Sequence, residues 1–264
     1  MKARKGAPTS RSNVGGGPEY MKPIDDVVKA FDGHGYERIQ HIRGSTYKDH
    51  STVVVIPTRG MIHHRVVQCW QGLLGSPNQK KAIFFASGHE VGKAYDAMIQ
   101  NILANPELSS WKYLLTLEDD NLVPADAHIR LLESIEEFKL DAVGGIYFTK
   151  GDIQMPMCYG DPEEYKRTGV LDFKPRDIRA ALAHGNIVEC NGLAMGCTLY
   201  RMDVFKRIPP PWFVTVADVV ERGGAQCFTQ DLWMAQTMKK AGMRVAVDMR
   251  VRVGHLQIET GEVF

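Results

Sequence analysis

Apolar and polar positions along the chain fall into runs whose period switches between two and about 3.6. The first clear run is Thr52-Val53-Val54-Val55-Ile56. It is β-branched and ended by Pro57, which predicts a buried strand. Met61, Ile62, Val66, Trp70, Leu73 and Leu74 then recur at helical spacing until Gly75 and Pro77. The alternation continues with a strand at 82–86, a helix at 91–103 facing Ala94, Met98, Ile99 and Ile102 inward, and a strand at 113–117. A helix at 124–138, through Ile129, Leu132 and Ile135, and a strand at 142–146 follow. Strands alternating with helices predict an α/β fold, a mainly parallel central sheet flanked by helices.

Beyond residue 150 the pattern is less regular. Strands are expected at 187–190 and 197–201, helices at 202–207 and 229–241, an extended stretch at 244–256, and a polar excursion at 161–184. Before residue 52, a short helix near 24–31 and an extended segment at 36–42 lead into the core. Residues 1–23 contain Gly15-Gly16-Gly17-Pro18 and basic Lys2, Arg4, Lys5 and Arg11, with too little apolar material to offset the entropy of ordering, and read as a flexible tail.

Composition narrows the function classes. The chain has 264 residues, long enough to bury a core without staples, and is read as a single domain over 24–264. Its 32 basic and 31 acidic residues leave a net charge of +1, so no global field grips nucleic acid or an anionic membrane. No apolar run reaches the length of a membrane span, and no apolar stretch follows the basic start as a secretory signal requires, which points to the cytoplasm. The five cysteines are odd in number and form no CxxC pair, as suits reduced thiols.

The most informative stretch is Leu114-Leu115-Thr116-Leu117-Glu118-Asp119-Asp120-Asn121, an apolar strand running directly into three acids and an amide. Carboxyl ends of strands face the ligand crevice in open α/β sheets. Adjacent carboxylates repel, and a divalent cation or exposure to water relieves that repulsion; helix-capping acids are the other reading, since a helix begins just beyond. Downstream, Thr229-Gln230-Asp231 opens a helix, with Thr229 as N-cap and Asp231 in the first turn, where an acid also simply complements the helix dipole. His255 ends the alternating stretch Val251-Arg252-Val253-Gly254, either as a structural residue or, beside a metal, as a ligand.

In combination these residues resemble the GT-A glycosyltransferases, the inverting, DxD-type group of compact enzymes common in phages and bacteria. Val54-Val55-Ile56-Pro57-Thr58-Arg59 is similar to their first-strand nucleotide element, Glu118-Asp119-Asp120-Asn121 to the acidic motif, Thr229-Gln230-Asp231 to the catalytic signature, and His255 to the C-terminal metal ligand. The sequence departs from the pattern in Glu118, where the family has Asp, and in Gln230, where it has Glu. The stretch from Asn191 to Arg201, with Gly192, resembles the small-residue segment beside the sugar; a close backbone approach explains it equally.

The resemblance implies a Rossmann-like nucleotide-diphospho-sugar transferase, with a nucleotide-binding half at 52–150 and an acceptor half at 151–264. It implies Mn²⁺ or Mg²⁺ held by Asp120 and His255, a UDP- or GDP-sugar donor, and Asp231 as the catalytic base. Glu118, Asp119, Pro57, Thr58, Arg59, Lys93, Tyr95 and Gly192 would contact the donor. The acceptor is left open among a glycan, a protein, a small molecule and a modified nucleic-acid base. The segment Pro209-Pro210-Pro211-Trp212-Phe213 is either a stacking wall for a sugar or a buried hinge. Two other functions stay open: a metal-dependent nucleotidyl or phosphoryl transferase, although no GxxxxGKS/T loop is present, and a non-catalytic nucleotide-sugar-binding module.

Overall fold

The computed structural model describes residues 49–178, 185–219 and 225–264. The expected tail, the helix at 24–31 and the extended segment at 36–42 lie outside them.

Seven strands form the central sheet: β1 (Thr52–Thr58), β2 (Lys81–Ser87), β3 (Tyr113–Leu117), β5 (Ala142–Ile146), β7 (Ile187–Cys190), β9 (Cys197–Arg201) and β12 (Val245–Arg252). Two-residue strands β4 (Asn121–Leu122), β6 (Cys158–Tyr159), β8 (Gly192–Leu193) and β13 (Gly254–His255) lie outside that sheet, as does the ribbon of β10 (Val216–Val219) and β11 (Ala225–Phe228). The sheet order is β2-β1-β3-β9-β5-β12-β7. β2, β1, β3, β5 and β12 run one way, while β9 and β7 run against their neighbours. The mainly parallel sheet therefore carries an antiparallel strand at its centre, a direction that periodicity does not encode.

The helices are α1 (His64–Gln71), α2 (Val91–Ala104), α3 (Ala127–Glu137), α4 (Pro162–Thr168), α5 (Val204–Arg207) and α6 (Gln230–Lys240). Along β1 the side chains alternate between two cores. Val53 and Val55 pack with Tyr95, Ile99 and Ile102 of α2 and with Met234 and Met238 of α6. Val54 and Ile56 pack with Val66 and Trp70 of α1 and with Leu131, Leu132 and Ile135 of α3. Covering both faces makes the strand uniformly apolar, and each fully buried aliphatic side chain contributes about 1.5–3 kcal/mol.

Three local expectations change. The helix expected from residue 61 starts at His64, and Met61 is left 88% exposed. The polar excursion contains α4, capped by Asp161, whose carboxylate accepts from the Glu163 N–H at 2.9 Å, and ended by left-handed Gly169. The extended stretch at 244–256 divides into β12 and β13, and within β12 the pairing with β5 shifts between Asp248 and Arg252. Fully buried Asp248 sits at that bulge, accepting from Ser134 Oγ at 2.7 Å and from Arg250 at 2.9 and 3.0 Å, so its charge is paired where water cannot reach it.

Candidate functional site

One edge of the sheet gathers the carboxyl ends of β1, β3, β5 and β12 together with the amino end of antiparallel β9. Glu118, Asp119 and Asp120 follow β3 in a tight turn in which the Asn121 N–H donates to the Glu118 carbonyl at 3.2 Å. β4 then pairs with β13, placing Asn121 opposite His255, and the Leu256 N–H donates to the Asp120 carbonyl at 2.8 Å. This backbone pairing is what brings the two ends of the chain's chemistry together. His255 Nε2 lies 3.5 Å from Asp120 Oδ2.

The imidazole is held from behind. His255 Nδ1 is 2.8 Å from the Phe148 carbonyl, which can only accept, so Nδ1 carries a proton and Nε2 is the atom turned toward Asp120. The ring stands edge-on to Tyr147 with centroids 5.3 Å apart. A neutral ring then aims a lone pair at the carboxylate, an arrangement stabilised by a cation shared between them, whereas a ring with a second proton pairs with Asp120 directly. Nitrogen and carboxylate oxygen are donors that suit Mn²⁺ and also accept Mg²⁺. Among the described residues no group of three His, Cys, Asp or Glu side chains could hold a metal.

A residue not anticipated from the sequence completes this corner. Lys150, four residues past β5, donates from Nζ to the same Asp120 Oδ2. Burial pushes the Asp120 carboxyl up, but the facing His255 ring and the Lys150 ammonium together outweigh it and hold the group below the ordinary carboxylate range. Glu118 moves the other way: burial, then the charges of Asp120, Asp231 and Asp119, push it up to about 8. Asp231 is 8% exposed in the first turn of α6, and burial raises its carboxyl despite hydrogen bonds from Thr229 and the Leu232 N–H. Its charge is felt at Glu118 and at the buried Tyr147 and Tyr200. Carboxyls pushed apart in this way can divide charge-holding from proton-accepting roles.

Gly196, just before β9, packs against the motif. Its N–H donates to Tyr147 Oη at 2.9 Å, and its carbonyl accepts from the Glu118 N–H at 3.3 Å. Asn121 is fully buried, and neither its Oδ1 nor its Nδ2 has a hydrogen-bond partner.

The remaining sequence-derived residues are distributed unevenly. Pro57 and Thr58 end β1; Pro57 is buried, and Thr58 Oγ1 accepts from the Gly60 N–H at 3.1 Å. The Arg59 N–H reaches Asp119 Oδ2 at 3.4 Å, tying the β1 end to the acidic turn, while its side chain is exposed. Lys93 is exposed at the start of α2, where its N–H donates to the Glu90 carboxylate at 3.2 Å. Tyr95 is fully buried against Phe213, its hydroxyl 3.5 Å from the Leu117 carbonyl, so it supports the floor of the turn and offers no open surface. Gly192 is buried in β8, where an added Cβ would meet Phe173 at 2.9 Å. The glycine of that stretch at the acids is Gly196. Trp212 and Phe213 are each 2% exposed, with the Trp212 indole donating to the Ile208 carbonyl at 2.9 Å, while Pro209, Pro210 and Pro211 are exposed, so the two aromatic rings are packed in the core and offer no stacking wall. A surface cavity of about 520 Å³ bounded by Trp111, Tyr113 and Arg201 lies at the opposite, amino end of β3 and contains none of the site residues.

No family model matches the sequence, and no curated protein matches it. Among solved structures, the chain is similar to A197 from STIV, with a TM-score of 0.51 and 17% identity, over 78% of this chain and 85% of that one. At that identity the likeness concerns the fold, a seven-stranded, mostly parallel sheet flanked by helices and consistent with a Rossmann-like architecture. No helix among the described residues is long and apolar enough to cross a membrane.

Proposed function

We propose that the chain is a GT-A-type glycosyltransferase that moves a sugar from a UDP- or GDP-sugar to an acceptor hydroxyl. The observation carrying this reading is the meeting of His255 Nε2 and Asp120 Oδ2, 3.5 Å apart, in an acidic turn whose Glu118 also feels the charge of Asp231. Asp120 and His255 would hold Mn²⁺ or Mg²⁺. Such an ion supplies stabilisation of the negative charge that grows on the departing diphosphate.

The chain's own residues account for the rest. The ends of β1 and β3, joined through the Arg59 N–H and Asp119, form the donor-facing rim. Asp231 accepts the proton of the acceptor hydroxyl as its oxygen bonds to the anomeric carbon and the bond from that carbon to the diphosphate breaks. Desolvation makes Asp231 a stronger base than a free carboxylate. Displacement in one step inverts the anomeric configuration.

The test combines binding and turnover. UDP or GDP with Mn²⁺ should raise the melting temperature, since a ligand at a hundredfold excess over Kd adds about 2.7 kcal/mol to the folded state. Asp120→Ala should lose the metal-dependent part. A panel of UDP- and GDP-sugars should then reveal Mn²⁺-dependent donor hydrolysis. Binding without any turnover would mark a non-catalytic module, and no binding at all would overturn the reading.

A further inference from the structure

Lys150 and the acidic turn carry one more inference, which rests on the function proposed above. The segment after β5 reaches both halves of the proposed cation site. The Phe148 carbonyl fixes the His255 ring, and two residues later the Lys150 ammonium sits on Asp120 Oδ2, the oxygen that faces His255 Nε2. The placement is built into the backbone. Thr149 and Met155 close the base of a short exposed excursion, with Thr149 N–H to Met155 carbonyl and Met155 N–H to Thr149 Oγ1 both at 2.9 Å, and left-handed Gly151 turns the chain directly after the lysine. Lys150 and Asp120 are 26% and 23% exposed, so the pair is partly withdrawn from water.

A divalent ion on Asp120 Oδ2 and an ammonium on that same oxygen repel each other, and the two cannot share it at full strength. Asp119 and Asp231 add to the negative charge of Asp120 in this region, as the raised Glu118 carboxyl reports. A nucleoside diphosphate changes this balance, because its phosphate oxygens offer the ammonium a new partner as the ion takes Asp120.

We propose that Lys150 is a resident counter-cation. Without a donor it neutralises Asp120 and excludes divalent ions; with a donor its ammonium transfers to a phosphate oxygen. Metal and nucleoside diphosphate therefore bind together, each weak without the other. Lys150 is thus a positioning residue for Asp120 and a direct phosphate contact once the donor is seated.

The experiment titrates Mn²⁺ by its electron paramagnetic resonance signal and UDP or GDP by calorimetry, in wild type, Lys150→Met and Lys150→Arg. Lys150→Met should bind Mn²⁺ alone on the order of tenfold tighter, and UDP or GDP in saturating Mn²⁺ on the order of tenfold weaker, the change expected from one charge-assisted contact. Lys150→Arg should retain both wild-type behaviours. Tighter metal binding is a gain that structural damage does not produce. Unchanged Mn²⁺ affinity in Lys150→Met, with nucleotide binding intact, overturns the counter-cation and leaves the glycosyltransferase reading standing. If wild type and Lys150→Met alike bind neither Mn²⁺ nor either nucleotide, both inferences fall.

Discussion

Gly196 and Asn121 pack so closely that a methyl group on Gly196 would stand 2.3 Å from Asn121 Oδ1 and 2.7 Å from Tyr147 Oη. The buried amide and the glycine backbone together set how near β9 comes to the acidic turn. Gly196→Ala must push one of them aside, and overpacking of this kind costs ~1–3 kcal/mol. Urea denaturation should show that loss, together with weakened Mn²⁺-dependent nucleotide binding, because the displaced Asn121 lies next to Asp120. Stability and binding both equal to wild type would contradict the packing described.

Asp231 should separate binding from chemistry. Asp231→Asn preserves shape but cannot accept a proton, so sugar transfer should fall ~10²–10⁴-fold while UDP affinity in Mn²⁺ stays near wild type. Single-turnover rates and calorimetry check the two halves. Normal turnover would remove Asp231 from the reaction.

His128 predicts an acid-sensitive fold. It is 2% exposed on α3, and burial, aided by the charges of Lys81 and His50, lowers its pKa to about 3 from 6.5. Thr52 Oγ1 donates to the His50 carbonyl at 2.8 Å and so accepts from His128 Nε2 at 3.1 Å, a contact made by the neutral ring. The folded protein binds fewer protons here than the unfolded chain, so this contribution is complete above pH 6.5 and is lost as pH falls toward 3. The loss should approach ~3–5 kcal/mol. His128→Gln keeps a donor for Thr52 without titrating, and its stability should fall less over that window. Parallel pH profiles from urea unfolding would refute the assignment.

At the β12 bulge, Arg250→Ala leaves the Asp248 carboxylate fully buried with Ser134 as its remaining side-chain donor. Breaking a buried pair from one side costs ~3–5 kcal/mol. The double replacement Asp248→Leu with Arg250→Met should recover part of it. A loss within error of zero in the single variant would show that the pair contributes nothing at the bulge.

The sequence reveals the sheet's interior better than its edges. β1, β3 and β5 are covered on both faces, and that burial writes itself as runs at 52–56, 113–117 and 142–146 in which no charged residue and only Thr52 and Thr116 interrupt the apolar positions. Two-residue strands such as β4 and β13 have no period to detect, yet their pairing sets Asp120 against His255. The direction of β9 leaves no trace in periodicity either. Met61 fits a helical spacing and still faces solvent, because the helix begins three residues later. The juxtaposition of Asp120 and His255 follows residue types whose order along the chain is legible in the sequence. The place of Lys150 is not legible, since one lysine after a strand is indistinguishable from an ordinary surface charge until the tertiary structure sets it on Asp120.

Asp120 leaves the third strand of the sheet and His255 follows the last long one, with the pairing of β4 and β13 joining them. Such a corner exists only when residues far apart in the sequence have been brought together, and closing so long a loop carries an entropic cost. Affinity for Mn²⁺ and nucleotide would thereby report whole-chain assembly. A fragment lacking β12 and β13 could keep much of its secondary structure and still be blind to both ligands.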